Sequence, residues 1–98
     1  MDELIERVVK WGREHGINNL KSQACKTVEE LGETLEEMNH NRFGEEFEDG
    51  IGDVLVSWII FADIAGKDVK KCLENTLNVI EKRTGTTVNG NFVKDERR

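Results

Sequence analysis

Apolar residues recur every three or four positions in four successive segments, and this spacing restricts the fold more than any other feature of the sequence. It predicts helices over about 3–15, 19–39 and 44–65, and a fourth from about 67 to Gly85. Turn residues separate the segments at 16–19, at 40–44 and at Gly66. Proline is absent, so no proline breaks the helical pattern from within. Four amphipathic helices with short connections predict an all-α, antiparallel four-helix bundle.

The end of the sequence has a different pattern. Residues 86–93 centre on Asn89-Gly90, and Asn-Gly is the strongest short signal for a two-residue hairpin turn. An isolated hairpin is marginally stable in water, so we expect this one to pack on the bundle or on a neighbouring subunit. The sequence therefore predicts a helical domain over residues 1–85 and a tail over residues 86–98 that contains a short hairpin.

Composition and cysteine spacing narrow the class of protein. No run approaches the roughly 20 apolar residues of a membrane-spanning helix, and the start lacks the basic-then-apolar form of a signal peptide. Cys25 and Cys72 form no CxxC pair, which predicts neither a disulfide framework nor a zinc site. We expect a cytoplasmic protein without a membrane partner. Because 98 residues give only a thin core, we also expect a homodimer or homotetramer.

Negative charge is concentrated in the middle of the chain. The formal net charge is −6, but residues 29–53 alone hold ten acids and one base, Arg42, a local net of −9. A field of this sign repels the phosphate backbone, so we expect no nucleic-acid partner. The acids are Glu29, Glu30, Glu33, Glu36, Glu37, Glu45, Glu46, Glu48, Asp49 and Asp53. A cationic partner suits this segment better.

The acids form strips on two neighbouring helices. On a helical wheel, one face of the second helix carries Gln23, Lys26, Glu30, Glu33 and Glu37, and the third helix carries a strip of Glu46, Asp49 and Asp53. Like-charged neighbours on a helix cost a few tenths of a kcal/mol per pair, and a bound divalent cation would reverse that sign. The alternative is an ordinary solvated face opposite the apolar stripe. That alternative leaves the scarcity of Lys and Arg in this segment unexplained.

Two segments give the chain a family resemblance. It resembles the MazG-like all-α nucleoside triphosphate pyrophosphohydrolases from about Trp11 to the tail, through Gln23-x-x-Lys26-x-x-Glu29-Glu30-Leu31-Gly32-Glu33 and then Asp49-Gly50-Ile51-Gly52-Asp53. In that family, two acids at i, i+3 on one helix and two on the next hold Mg²⁺. Glu30 and Glu33 fit the first pair. Gly50 stands where the second pair commonly has an acid, which leaves Asp49 and Glu46 as alternative partners of Asp53.

The resemblance implies an activity and a set of site residues. It implies Mg²⁺-dependent hydrolysis of a nucleoside or deoxynucleoside triphosphate to the monophosphate and pyrophosphate, with Mn²⁺ as a substitute metal. The implied metal ligands are Glu30, Glu33, Asp49 and Asp53; the implied catalytic residues are Glu30, Glu33 and Lys26; and the implied substrate contacts are Gln23, Lys26, Asn78 and Arg83. Trp11 lies at the edge of the apolar stripe of its helix, where it could stack on a nucleobase or pack in the core. A family element around Asn78 usually has a Lys where Glu81 stands here. The competing hypothesis is a non-catalytic acidic helical module for interaction or assembly.

Overall fold

The computed structural model describes residues 2–95, which form four helices followed by a hairpin. The elements are α1 (Asp2–Glu14), α2 (Leu20–Asn39), α3 (Glu45–Ile64), α4 (Val69–Ile80), β1 (Gly85–Val88) and β2 (Asn91–Lys94). The predicted all-α bundle with a hairpin tail is confirmed. Within the described range, no helix combines the length and the apolar character needed to cross a membrane.

Local signals in the sequence account for the helix ends. The Asn19 side chain caps α2 by accepting a hydrogen bond from the Ser22 N–H at 2.9 Å, and Asp68 caps α4 in the same way through the Lys70 N–H at 3.0 Å. Helix α4 ends at Ile80, earlier than the spacing predicts. The reason is that the hairpin already begins at Thr84, whose carbonyl accepts a hydrogen bond from the Asp95 N–H at 2.8 Å.

Helix α3 is the centre of the bundle. Helix α2 packs along it most extensively, α1 packs less extensively, and α4 makes only slight contact. Gly12 lets α1 come close to α3, because a methyl group at this position would stand 3.1 Å from Ile60 Cγ1. The Gln23 side-chain amide joins α2 to α3 by donating to the Ser57 carbonyl at 2.9 Å. These contacts fix the positions of the first three helices.

The predicted apolar stripes are mostly uncovered in a single chain. Among the large apolar side chains of residues 2–95, Ile60 alone is buried, at 3% exposure. Uncovered apolar side chains lie on every helix, including Trp11, Val28, Leu31, Leu35, Ile51, Leu55, Trp58, Leu73 and Leu77. The hydrophobic core of a single chain is therefore even smaller than expected for a protein of this length.

The hairpin forms at the predicted Asn-Gly turn. Its strands are antiparallel, with Thr86 opposite Val93 and Thr87 opposite Phe92. Asn89 and Gly90 both have positive φ, 52° and 79°, as the type I′ turn of a two-residue hairpin requires. Residues 96–98 of the predicted tail lie outside the described residues.

A bidentate ion pair between Arg13 and Asp63 joins α1 to α3. Arg13 Nε and Nη2 donate to the two carboxylate oxygens of Asp63 at 3.0 and 2.7 Å. Hydrogen bonding to the guanidinium, with its charge, lowers the pKa of Asp63 below the usual value. A depressed folded-state pKa contributes stability that is present above the unfolded pKa of about 4 and is lost as the pH falls through the folded pKa.

We expect Asp63→Asn to lower Tm by roughly 2–4 °C at pH 7 and to have progressively less effect below about pH 4. Thermal melting across this pH range measures the difference. Glu14→Gln is the matched control, because it breaks the exposed pair between Lys10 and Glu14 and should change Tm little. A Tm difference for Asp63→Asn that is equally large at pH 7 and pH 3 would contradict this account.

Candidate functional site

The two acidic strips face a common cleft between α2 and α3. The cleft has a volume of about 510 Å³, and its other lining residues are Thr34 and Gly50. The carboxylates that line it are Glu30, Glu33, Glu36, Glu37, Glu46, Asp49 and Asp53. All four residues predicted as metal ligands are among them. Both Asp49 and Glu46 are present, so the choice between them stays open.

Close contact between α2 and α3 at Thr34 and Gly50 brings the strips together. Thr34 is 7% exposed, and its hydroxyl donates to the Glu30 carbonyl at 2.8 Å, which holds the side chain in one orientation. A methyl group on Gly50 would stand 3.1 Å from Thr34 Cβ and still closer to Thr34 Oγ1. Position 50 therefore has no room for an acidic side chain.

Arg42 neutralises one end of the cleft. Its Nε and Nη2 donate to the two carboxylate oxygens of Glu37 at 3.0 and 2.9 Å. This hydrogen bonding lowers the pKa of Glu37 and raises that of Arg42. Within residues 2–95, the other carboxylates of the cleft form no ion pair.

Sequence reasoning did not assign Arg42 to the site. The turn after α2 brings it back toward Glu37: Asn41 has a positive φ of 57°, and the Arg42 N–H donates to the Glu37 carbonyl at 2.9 Å. The available signal was its isolation, since Arg42 is the single base among the ten acids of residues 29–53.

The donor chemistry of the cleft suits a hard divalent cation. In the part of the chain that is described, no three His, Cys, Asp or Glu side chains are placed close enough together to hold one ion. Like charges favour side-chain rotamers that keep the carboxylates apart. Oxygen ligands from two helices are nevertheless what Mg²⁺ takes when it also keeps several waters. The residues fit Mg²⁺ in donor type, and binding would require their side chains to turn toward the ion.

The predicted substrate contacts do not line the cleft. Gln23 is buried, and its side-chain amide is hydrogen-bonded to the Ser57 carbonyl. Lys26 is exposed, one turn before Glu30, and pairs with no acid of residues 2–95. Trp11 is half exposed and stacks on His15 with 4.3 Å between ring centroids.

Asn78 and Arg83 lie on α4 and just beyond its end, and both are exposed. The structure thus places the predicted metal ligands along one cleft and the predicted substrate contacts outside it, and the roles of both sets stay predictions. Comparison with protein-family models, with curated proteins and with solved structures gives no match to this chain. The resemblance therefore rests on the residues described above.

Proposed function

We propose that this protein is a Mg²⁺-dependent nucleoside triphosphate pyrophosphohydrolase of the MazG-like type. The observation that carries the proposal is that carboxylates from α2 and α3 line one cleft in which Arg42 is the single basic partner among residues 2–95. The packing of α2 on α3 holds these acids along one cleft although like charges repel each other there, and a bound cation would offset that repulsion. A bound divalent cation would supply positive charge between the carboxylates, and the phosphate oxygens of a triphosphate would be further ligands of that cation.

The cleft residues would have separate tasks in this reaction. Glu30, Glu33 and Asp53, together with Asp49 or Glu46, would hold the metal. When bound, Mg²⁺ or Mn²⁺ neutralises charge on the phosphate oxygens and lowers the pKa of a bound water. Glu33 or Glu30 would accept the proton of the water that attacks phosphorus as pyrophosphate leaves.

The predicted phosphate and nucleoside contacts would come from outside the cleft. Lys26 is one turn before Glu30 on the same helix, so its long side chain would approach a phosphate at the rim as a point charge. Asn78 and Arg83 belong to a part of the chain that does not line this cleft. A nucleotide bound there would meet them if a second copy carried them to it, which supports a homodimer or homotetramer as the active form.

Product analysis tests the assigned reaction. The protein is incubated with each of the eight common ribo- and deoxyribonucleoside triphosphates and Mg²⁺, and pyrophosphate and monophosphate are quantified. We expect equal amounts of both products from at least one substrate, with no turnover when EDTA removes the metal. Orthophosphate and diphosphate as products would contradict the assigned bond cleavage. No turnover of any substrate would contradict the proposal itself.

A non-catalytic acidic module is the second candidate, and the wide placement of the cleft carboxylates favours it. Such a module would bind a basic partner through charge alone. Thermal melting separates the two candidates, because a ligand that binds the folded state raises Tm by mass action. The enzyme should gain Tm with millimolar Mg²⁺ well beyond the effect of NaCl at equal ionic strength. The module should respond equally to both salts.

A further inference from the structure

Arg42 holds a defined position at one end of the cleft, but the proposed reaction gives it no task so far. The residue lies in the turn between α2 and α3, where the Arg42 N–H donates to the Glu37 carbonyl at 2.9 Å. Its guanidinium then makes the bidentate hydrogen bond to the Glu37 carboxylate. The backbone and the side chain of Arg42 are therefore both held by the same residue of α2.

One edge of this guanidinium has no partner among residues 2–95. The Glu37 carboxylate accepts from Nε and Nη2, but a guanidinium has more N–H donors than one carboxylate can accept. No side chain or carbonyl of the described residues accepts a hydrogen bond from Arg42 Nη1. The Arg42 side chain is also 52% exposed, against 20% for that of Glu37. The outer edge, formed by Nη1 and Nη2, is therefore open to a second oxyanion.

The guanidinium lies close to carboxylates of both helices. Hydrogen bonding to Glu37 is the main cause of the raised pKa of Arg42, and the charges of Glu36 on α2 and Glu46 on α3 add to it. All three of these acids line the cleft. Arg42 thus faces the end of the cleft at which α2 ends and α3 begins.

A chain of phosphates bound to metal in the cleft would come within reach of Arg42. Glu33 and Glu37 are four residues apart on α2, which is a rise of about 6 Å along the helix axis. Seven carboxylates line the cleft, and even two Mg²⁺ ions would offset only about four of their charges, so a bound polyanion needs further positive charge. Lys26 lies one turn before Glu30, toward the other end of α2. Lys26 and Arg42 therefore flank the predicted metal ligands.

We propose that Arg42 is a substrate-binding residue whose outer guanidinium edge binds non-bridging oxygens of the triphosphate while its ion pair with Glu37 stays intact. This inference rests on the proposed function, because metal in the cleft has to hold the phosphates near Arg42. The planar fork of arginine matches phosphate oxygens in bidentate geometry, which the single ammonium group of lysine does not. Because Glu37 already orients the guanidinium, little side-chain freedom is lost when the phosphate binds.

Isothermal titration calorimetry with inorganic tripolyphosphate in excess Mg²⁺ tests this contact without a nucleoside. We expect Arg42→Ala to raise the Kd about tenfold or more, which is typical for the loss of hydrogen bonds to a charged group. Arg42→Lys keeps the charge but cannot bind Glu37 and a phosphate with one planar fork, so its Kd should rise at least about threefold. Arg7→Ala is the matched control, because Arg7 is exposed on α1 and does not line the cleft, and its Kd should stay within about twofold of wild type.

Mg²⁺ alone separates a lost phosphate contact from a damaged metal site. Arg42→Ala removes a positive charge from the end of the cleft, so without phosphate its rise of Tm with Mg²⁺ should equal or exceed that of wild type. Circular dichroism checks that each variant keeps its helices. A smaller rise of Tm in Arg42→Ala would overturn the inference. A wild-type Kd for Arg42→Ala or Arg42→Lys, or a wild type that does not bind the probe, would also overturn it.

The same measurements distinguish failure of this inference from failure of the proposed function. If the wild type hydrolyses a nucleoside triphosphate but Arg42→Ala binds tripolyphosphate normally, the role of Arg42 is wrong and the hydrolase assignment stands. If tripolyphosphate binding depends on Arg42 but no nucleoside triphosphate is hydrolysed, the phosphate contact is supported and the hydrolase assignment is wrong.

Discussion

Glu33→Gln is expected to lower kcat for triphosphate hydrolysis by at least about a hundredfold. Glu33 lines the cleft together with Asp49 and Asp53, and the amide keeps the size of the side chain while removing its charge. The neutral group is a weaker metal ligand and does not accept the proton of water. Pyrophosphate release at saturating substrate and Mg²⁺ measures the loss, and circular dichroism checks that the variant is folded.

Glu48→Gln makes the same chemical change on α3 at a position that does not line the cleft. We expect its kcat to stay within about twofold of wild type, as for most exposed substitutions. The rise of Tm with Mg²⁺ should likewise disappear in Glu33→Gln and persist in Glu48→Gln. If both variants lose activity equally, or if Glu33→Gln keeps full activity, the cleft is not the site of hydrolysis.

Gly50→Ala is expected to destabilise the fold by about 1–3 kcal/mol, the usual cost of forcing extra volume into a tight contact. The added methyl group would meet Thr34, whose hydroxyl is held by the Glu30 carbonyl. Either that hydrogen bond breaks or α2 and α3 separate. Urea unfolding followed by circular dichroism gives the free energy of unfolding.

Gly52→Ala, on the same helix, is a control that should change the free energy of unfolding in the opposite direction. Gly52 is exposed, and a methyl group there would meet nothing within 4 Å, so Gly52→Ala should stabilise the fold by about 0.5–1 kcal/mol through helix propensity. Adding Thr34→Ala to Gly50→Ala should recover part of the lost stability, because the nearest remaining atom is then the Cβ at 3.1 Å. Destabilisation by Gly52→Ala as large as that by Gly50→Ala would show that the contact with Thr34 is not the cause.

Much of the fold could be predicted because its signals are local. The spacing of apolar residues gives the bounds of α1, α2 and α3 to within a residue, and the turn follows from Asn89-Gly90 because both residues must take positive φ. The end of α4 is different. It depends on the pairing of Thr84 with Asp95, eleven residues later, which no local pattern shows.

The site could be predicted only in part. Periodicity places the acids on one side of each helix, but whether the two sides meet depends on how α2 is rotated against α3. That rotation is set by the contact of Thr34 with Gly50 and by the hydrogen bond from Gln23 to Ser57. Gln23 shares a wheel face with the acids, and the resemblance implied a substrate contact for it, but its side chain is used in this hydrogen bond. The position of α4 decides where Asn78 and Arg83 lie. The spacing of apolar residues predicts that α4 forms, but it does not predict where α4 packs.

The tight packing at Gly50 restricts which pairs of residues can occupy positions 34 and 50 together. An acid at position 50 needs space that the Thr34 side chain now fills. The two positions should therefore covary, so that chains with Glu in place of Gly50 carry a residue no larger than alanine opposite it, or have a wider spacing between the two helix axes.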